Sequence, residues 1–157
     1  MRTPGPTFDP EALALAFAKL PSTAWALPVT TADTVNPGYH FAAVVQEGRP
    51  RPAATLFRFV LTEFEPVWTA WVAKVPAGAY IAPHIDQGPY RERWHVPIHP
   101  AGTFDGREVD AGVSFPVNHW EPHRVDNPTG HDRVHLVIDL AVLVDVPSAP
   151  FQRIEDT

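Results

Sequence analysis

Nineteen prolines are scattered through the 157 residues of this chain, and their spacing constrains the fold more than any other feature. Proline has no backbone N–H to give a helix and its ring collides with the preceding turn, so long helices are excluded almost everywhere. Between the prolines, Val, Ile, Phe, Trp and Tyr gather in short runs bounded by turn residues, which is the pattern of β-strands. Candidate strands are Trp25 to Val29, His40 to Gln46, Trp68 to Val75, Ala79 to Ile85, Trp94 to His99, Gly112 to Pro116, His123 to Val125 and Arg133 to Val144. One helix is expected near the start. Asp9 offers a side-chain acceptor at the cap, Pro10 suits the first turn, and Ala12 to Lys19 favours helix until Pro21. Leu13, Phe17 and Leu20 recur at helical spacing, so this helix should cover an outer face of something else. Leu56 to Phe64 is ambiguous and reads as a possible second helix. Strands of this kind with Gly and Pro turns predict an all-β sandwich or jelly-roll barrel, with a cavity between its sheets.

A chain of this length fits one domain spanning 1–157. Hydrophobic residues make up 45% and charged residues 19%, a globular balance, and no apolar run reaches membrane-spanning length. A soluble protein is expected. Ala12 to Leu20 lacks the basic leader and cleavage signature of a secretory signal, which predicts a cytoplasmic location. The net charge of −6 argues against nucleic-acid binding through phosphate contacts. Arg49, Arg51 and Arg58, or Arg91 and Arg93, are too sparse to form a polybasic patch. Cysteine is absent, so any metal must be held by His, Asp or Glu.

The chemistry concentrates in three segments: Pro83 to Asp86, Trp120 to Asn127, and His131 to Asp139. His84 and Asp86 are two apart, so on an extended strand both leave the same face. A second imidazole from His123 would complete a two-histidine, one-carboxylate set. Such a set suits ferrous iron and leaves positions open for a bidentate 2-oxo acid and for dioxygen. A lone His-x-Asp pair is common by chance. Here it ends an apolar strand, a histidine follows in a later strand, and Arg133 comes ten residues beyond that histidine at the head of another. Arginine keeps its proton, and its fork grips a carboxylate through two parallel hydrogen bonds. The competing reading pairs Arg133 with Asp139 or a surface acid.

On the last strand, Arg133, His135 and Val137 share one face, while Val134, Leu136, Ile138 and Leu140 form an apolar one. The polar face should look into a site and the apolar face into a core. His135 reads equally as a cavity group or a satisfied core histidine. Pro97 between His95 and His99 argues against a helical zinc pair, and His99 reads as structural or exposed. His119 reads as a solvated loop residue. Trp94, Trp120 and Tyr90 fit either a pocket wall or a core. Arg124 should point away from His123, and Asn127 should fix the turn before Pro128.

The Pro76-Ala77-Gly78 turn, His84, Arg93 to Pro97, Phe115, His123 to Asn127 and Asp132 to Asp139 together resemble the aspartyl/asparaginyl β-hydroxylase family of iron(II)/2-oxoglutarate dioxygenases. The likeness covers roughly Trp68 to Asp139. It implies a double-stranded β-helix, the cupin-like jelly roll, with one or two short flanking helices. It also implies that His84 and His123 ligate iron and that Arg133 grips the distal carboxylate of 2-oxoglutarate. Arg93 and His95, matching the family's Arg-x-His, would line the cosubstrate pocket. Membrane-anchored animal members that hydroxylate epidermal-growth-factor-like domains lack the carboxylate ligand. Asp86 supplies it here, as in bacterial relatives acting on free amino acids such as proline, which favours a small-molecule substrate over a peptide or protein. Two other readings stay open. In one, a cupin-type hydrolase or isomerase holds zinc or manganese in the same ligands. In the other, a non-catalytic barrel binds a small acidic molecule or a partner. The loops Gln87 to Glu92, Ala101 to Ala111 and His119 to Pro122 are where specificity should lie.

Overall fold

The Asp9 side chain accepts a hydrogen bond from Glu11 N at 3.0 Å, and helix α1 runs from Pro10 to Ala18 as the cap predicts. The computed structural model describes residues 5–26, 40–86, 90–118 and 120–141, and for Tyr90 and Arg91 the backbone only. Most of the expected strand Trp25 to Val29 lies outside the described residues, as do Val142 to Val144 and His119; Trp25 itself bridges Ala42. The ambiguous Leu56 to Phe64 segment is helical, with α2 at Arg58–Leu61 preceded by a 3-10 turn at Pro52–Thr55.

The strands are β1 (His40–Gln46), β2 (Arg49–Pro50), β3 (Val67–Val75), β4 (Tyr80–His84), β5 (Tyr90–His99), β6 (Thr103–Phe104), β7 (Phe115–Val117), β8 (His123–Asp126) and β9 (Arg133–Ala141). They form one sheet in the order β2-β1-β3-β9-β5-β7 and a smaller one in the order β4-β8-β6, with antiparallel pairing throughout. The last strand thus closes the large sheet between β3 and β5, and the architecture is the all-β, cupin-like jelly roll. The stretch Gly112 to Ser114, expected as strand, leaves the sheet. Gly112 adopts a positive φ of 78° and its carbonyl accepts from Phe8 N, so the N-terminal segment takes this stretch and β7 begins at Phe115.

The main core lies on the outer face of the large sheet, where α1 and α2 cover it. Val44, Val72, Val96, Leu136 and Ile138 are fully or nearly fully buried there with Leu13, Phe57 and Val60. Each such side chain contributes about 1.5–3 kcal/mol on leaving water. A smaller buried apolar cluster is formed by Val75, Ala79 and Val125, flanked by Ile81 and Phe104. The inner face of the large sheet carries buried polar residues, Arg133, His135, Asp139 and His95, among apolar ones such as Val137. Among the described residues, no helix is long and apolar enough to cross a membrane.

Strand β6 is held against β8 by a close approach at Gly102, whose φ is +75° and where a Cβ would collide with Asp126 O and Asn127 Cα. Gly102→Ala is therefore expected to lower stability by more than about 1 kcal/mol through strain and displacement of β6. An unchanged melting temperature would show that the two strands can part without penalty.

Candidate active site

The register of β4 on β8 puts His84 directly opposite His123, with ring centroids 4.4 Å apart. Asp86 follows just past the end of β4. Its Oδ2 lies 2.8 Å from His123 Nε2 and its Oδ1 3.5 Å from His84 Nε2. The ligand atoms of the three residues all lie within 4.8 Å of one another. Each histidine turns Nδ1 to the carbonyl two residues before it: His84 to Ala82 O at 2.7 Å, His123 to Glu121 O at 3.0 Å. A carbonyl only accepts, so each Nδ1 donates and each Nε2 is the atom presented to Asp86. This outer hydrogen bond is how metal-ligating histidines are oriented.

Burial opposes ionisation of Asp86, but the hydrogen bond from His123 and the charge of Arg93 outweigh it and hold the carboxyl at about 2. Burial likewise disfavours protonated His123, yet Asp86 and the Glu121 carbonyl raise its pKa above the ordinary value. A divalent cation bound between His123 Nε2 and Asp86 Oδ2 would displace any proton held there. The donor set, two oriented imidazole nitrogens and one ionised carboxylate converging on a point, fits a transition metal.

Arg93 adjoins this set. Its Nη1 lies 2.9 Å from Asp86 Oδ2, while Nε and Nη2 bond the two oxygens of Asp139 at 2.7 and 3.0 Å. Thr69 Oγ1 donates to Asp139 Oδ2 at 3.0 Å, and the guanidinium lies 4.9 Å over the Trp71 ring. Thr69, Asp139 and Arg93 form one cross-strand row of β3, β9 and β5. The resemblance implied a cosubstrate contact for Arg93; in the structure its guanidinium bridges the carboxylates of Asp86 and Asp139. The reading that paired Arg133 with Asp139 is overturned. The two stand at opposite ends of one face of β9, and Asp139 belongs to Arg93.

Arg133 is 3% exposed and opens the fully buried strand β9. Its hydrogen-bond partner is His135 Nδ1, 3.0 Å from Nη2, and its guanidinium lies 5.9 Å over the Phe104 ring. Among the described residues no acid stands against it. Burial alone pushes its pKa down to about 9, which leaves it cationic at neutral pH. A buried cation without a counter-charge is costly, and an anionic ligand would supply what the chain does not.

His95 and His135 lie between these two ends. His95 stacks on Phe115 at 5.4 Å and meets Phe104 at 5.1 Å; Phe104 in turn stacks on His123 at 5.3 Å. Phe104 thus touches the rings of His123 and His95 as well as the Arg133 guanidinium. Sequence reasoning passed over Phe104, because a two-residue strand inside the Ala101 to Ala111 loop leaves no periodic signal. Asp139 was weighed only as an alternative partner for Arg133. His135 enters the interior and is no satisfied core histidine, since its Nε2 is buried without a hydrogen-bond partner.

The remaining expectations sort cleanly. Arg124 points outward and pairs with Asp126 at 2.6 Å. Asn127 Oδ1 accepts from Thr129, fixing the turn as expected, and its Nδ2 also donates to Val75 O, Pro76 O and His131 O. Trp94 packs on the main core, and Trp120 is 56% exposed. His99 lies exposed against Phe17.

Burial, reinforced by Arg133, lowers the pKa of both His95 and His135 well below 6.5. Their folded pKa values are depressed, so the unfolded chain binds more protons below about pH 6.5, and stability falls as pH drops through that point. Each histidine can remove up to about 1.4 kcal/mol per pH unit until its folded pKa is reached. His123, raised, works in the opposite sense. The metal-free protein is therefore expected to melt at lower temperature at pH 5 than at pH 7. A melting temperature that held or rose on acidification would contradict the two buried neutral histidines.

No family model matches the chain, and no curated protein matches it. Solved structures do. A Pseudomonas putida prolyl-4-hydroxylase is similar at TM-score 0.58 and 16% identity, covering 88% of this chain and 91% of that one. A viral collagen prolyl hydroxylase from Paramecium bursaria Chlorella virus-1, in complex with 2-oxoglutarate, is similar at TM-score 0.58 and 11% identity, covering 88% and 94%. An oxidoreductase of the 2-oxoglutarate/Fe(II) oxygenase family from Burkholderia pseudomallei is similar at TM-score 0.57 and 15% identity, covering 82% and 76%. At these identities the likeness establishes the fold. The finer resemblance to aspartyl/asparaginyl hydroxylases rests on residues alone.

Proposed function

We propose that this chain is an Fe(II)- and 2-oxoglutarate-dependent dioxygenase of the aspartyl/asparaginyl β-hydroxylase type. It would hydroxylate an unactivated C–H bond of a small amino-acid-like molecule or an Asp/Asn side chain. The observation that carries this reading is the coexistence of a three-donor metal set and, on the facing sheet, a buried arginine that no acid among the described residues opposes. A 2-oxo diacid needs those two things: a chelating end and a gripped end. The prolyl hydroxylases that share the fold support it.

His84, Asp86 and His123 would hold iron, which when bound supplies the oxidising chemistry that couples dioxygen and decarboxylation of 2-oxoglutarate to hydroxylation. The chain's residues do the positioning. Arg133 binds the distal carboxylate through charge-assisted hydrogen bonds. Arg93 fixes the orientation of Asp86 from behind. Phe104 and Phe115 dry the space between the sheets, which strengthens both interactions. Asp86 favours a free amino acid or similar small molecule as substrate, and the acidic net charge disfavours nucleic acid.

The test is succinate formation from 2-oxoglutarate with added ferrous iron, with and without a panel of free amino acids and short peptides. Iron-dependent succinate that rises with one compound supports the reading and names the substrate class. No succinate in any mixture, together with no binding of 2-oxoglutarate to the iron-loaded protein under nitrogen, sinks it in favour of a hydrolase or isomerase using the same metal ligands.

A further inference from the structure

The strand register carries one row of side chains across the inner face of the large sheet. Ala43 stands opposite Trp71, Trp71 opposite Val137, Val137 opposite His95 and His95 opposite Phe115. Residues directly opposite one another share a face, so Ala43 and Trp71 look into the same interior as His95 and Phe115. The next row runs from Thr69 through Asp139 to Arg93. At the β1 end of this face, Phe41, Ala43, Val45, Thr69 and Trp71 line a hollow of about 210 Å³. Pockets that hold a whole drug-sized ligand run to about 300–1,000 Å³, so this one has room for a side group rather than an entire substrate.

The hollow follows from a mismatch between the two sheets. Six strands about 4.8 Å apart span roughly 24 Å, and three span roughly 10 Å. Strands β6 and β8 lie over β5, β7 and β9: Phe104 meets His95, Phe115 and the Arg133 guanidinium, and His123 reaches Arg93 through Asp86. That leaves β4 as the last strand of the small sheet on the side toward β3, and among the described residues no strand of that sheet remains to cover β1. The hollow ends against the metal set. Thr69 Oγ1 donates to Asp139, and the Trp71 ring lies 4.9 Å under Arg93, whose Nη1 is 2.9 Å from Asp86. One side chain, Arg93, therefore separates the Trp71 wall from a metal ligand.

We propose that this hollow is the subsite for the side group of the molecule to be hydroxylated, and that the group is aliphatic or aromatic. The proposal rests on the dioxygenase reading and decides between the two substrate types left open there, favouring an apolar amino-acid-like molecule over an Asp or Asn side chain. The lining offers little to a carboxylate. Thr69 has given its hydroxyl hydrogen to Asp139, and Gln46 stands at the exposed end. A carboxylate placed there would lose water with no opposite charge in the lining to replace it, a loss that apolar sites reject. An aliphatic chain or a phenyl ring leaves water favourably. In an apolar pocket one methylene more or less changes affinity by about 10–200-fold, so a hollow of this size discriminates sharply among side groups. Phe41, Ala43 and Trp71 are then specificity-determining residues, and the metal ligands and Arg133 keep their roles.

Alanine-methyl NMR of the full chain, loaded with zinc in place of iron and saturated with 2-oxoglutarate, reads the hollow directly, and Ala43→Ser identifies the Ala43 signal. The probes are leucine, methionine, phenylalanine, aspartate and asparagine. At least one of the three apolar probes is expected to move the Ala43 signal, with an affinity at least about 10-fold above that of aspartate or asparagine. Ala43→Ile, which fills the hollow, should weaken that binding by at least about 10-fold, with the melting temperature read alongside. Aspartate or asparagine bound as tightly as the apolar probes overturns the proposal. So does an Ala43 signal that no probe moves, or one that shifts with protein concentration instead and gives the face to a second copy of the chain. A folded Ala43→Ile protein that binds the apolar probe like wild type overturns it too; should that variant not fold, the wild-type titrations decide. If 2-oxoglutarate fails to bind the zinc-loaded protein, the dioxygenase reading fails, while a preference of the hollow for apolar probes stands on its own.

Discussion

His123→Ala and Asp86→Ala are each expected to abolish iron-dependent turnover while leaving a folded protein. Perturbing only the outer hydrogen bonds of a metal ligand typically weakens metal affinity or activity by about 10–100-fold. Removing a ligand from a three-donor set should exceed that. The fold should survive because neither residue belongs to the main core, and because each change leaves compensated neighbours. Without His123, Asp86 still faces Arg93 at 2.9 Å. Without Asp86, Arg93 keeps its two bonds to Asp139. Succinate release under limiting iron, read beside the melting temperature, separates the two effects. Full activity in either variant would dismiss the ligand assignment, and an unfolded variant would assign these residues to stability instead.

Replacing Arg133 is expected to move ligand binding and stability independently. Each hydrogen bond to a charged group is worth about 1.5–3 kcal/mol, so losing a bidentate grip should weaken 2-oxoglutarate binding by at least about 100-fold. Stability should not follow. Arg133 is buried, no described acid offsets its charge, and exchanging an uncompensated cation for an apolar side chain of similar length is commonly neutral or stabilising. Arg133→Met should therefore bind 2-oxoglutarate poorly while melting no lower than wild type. Unchanged affinity would remove the anion-anchor role. A drop of several degrees in melting temperature would mean that the guanidinium holds the strand to its neighbours.

Much of this site was legible along the chain because its signals are local. The two-residue spacing of His84 and Asp86 and the alternation of Arg133, His135 and Val137 against Val134, Leu136 and Ile138 are consequences of strand geometry, in which successive side chains leave opposite faces. The bounds of β1 and the Asp9 cap followed from proline, turn and capping chemistry in the same way. Position on a strand therefore told which residues look inward.

Which inward residues meet one another depended on register. Arg93 pairs with Asp139 because β5 and β9, distant in sequence, align those two positions, whereas residues within β9 had made Arg133 the nearer candidate. Phe104 reaches His123 and Arg133 only because Gly102 lets a two-residue strand lie against β8. His95 meets His135 only because β5 and β9 pair. The amino-acid order alone settled most of the strand rhythm, the inward faces and the placing of His84 and Asp86 side by side, all of which are short-range steric and chemical matters. Charge partners and the side of the large sheet that carries the core were settled by long-range pairing, because contacts between strands are fixed by closure of the whole barrel.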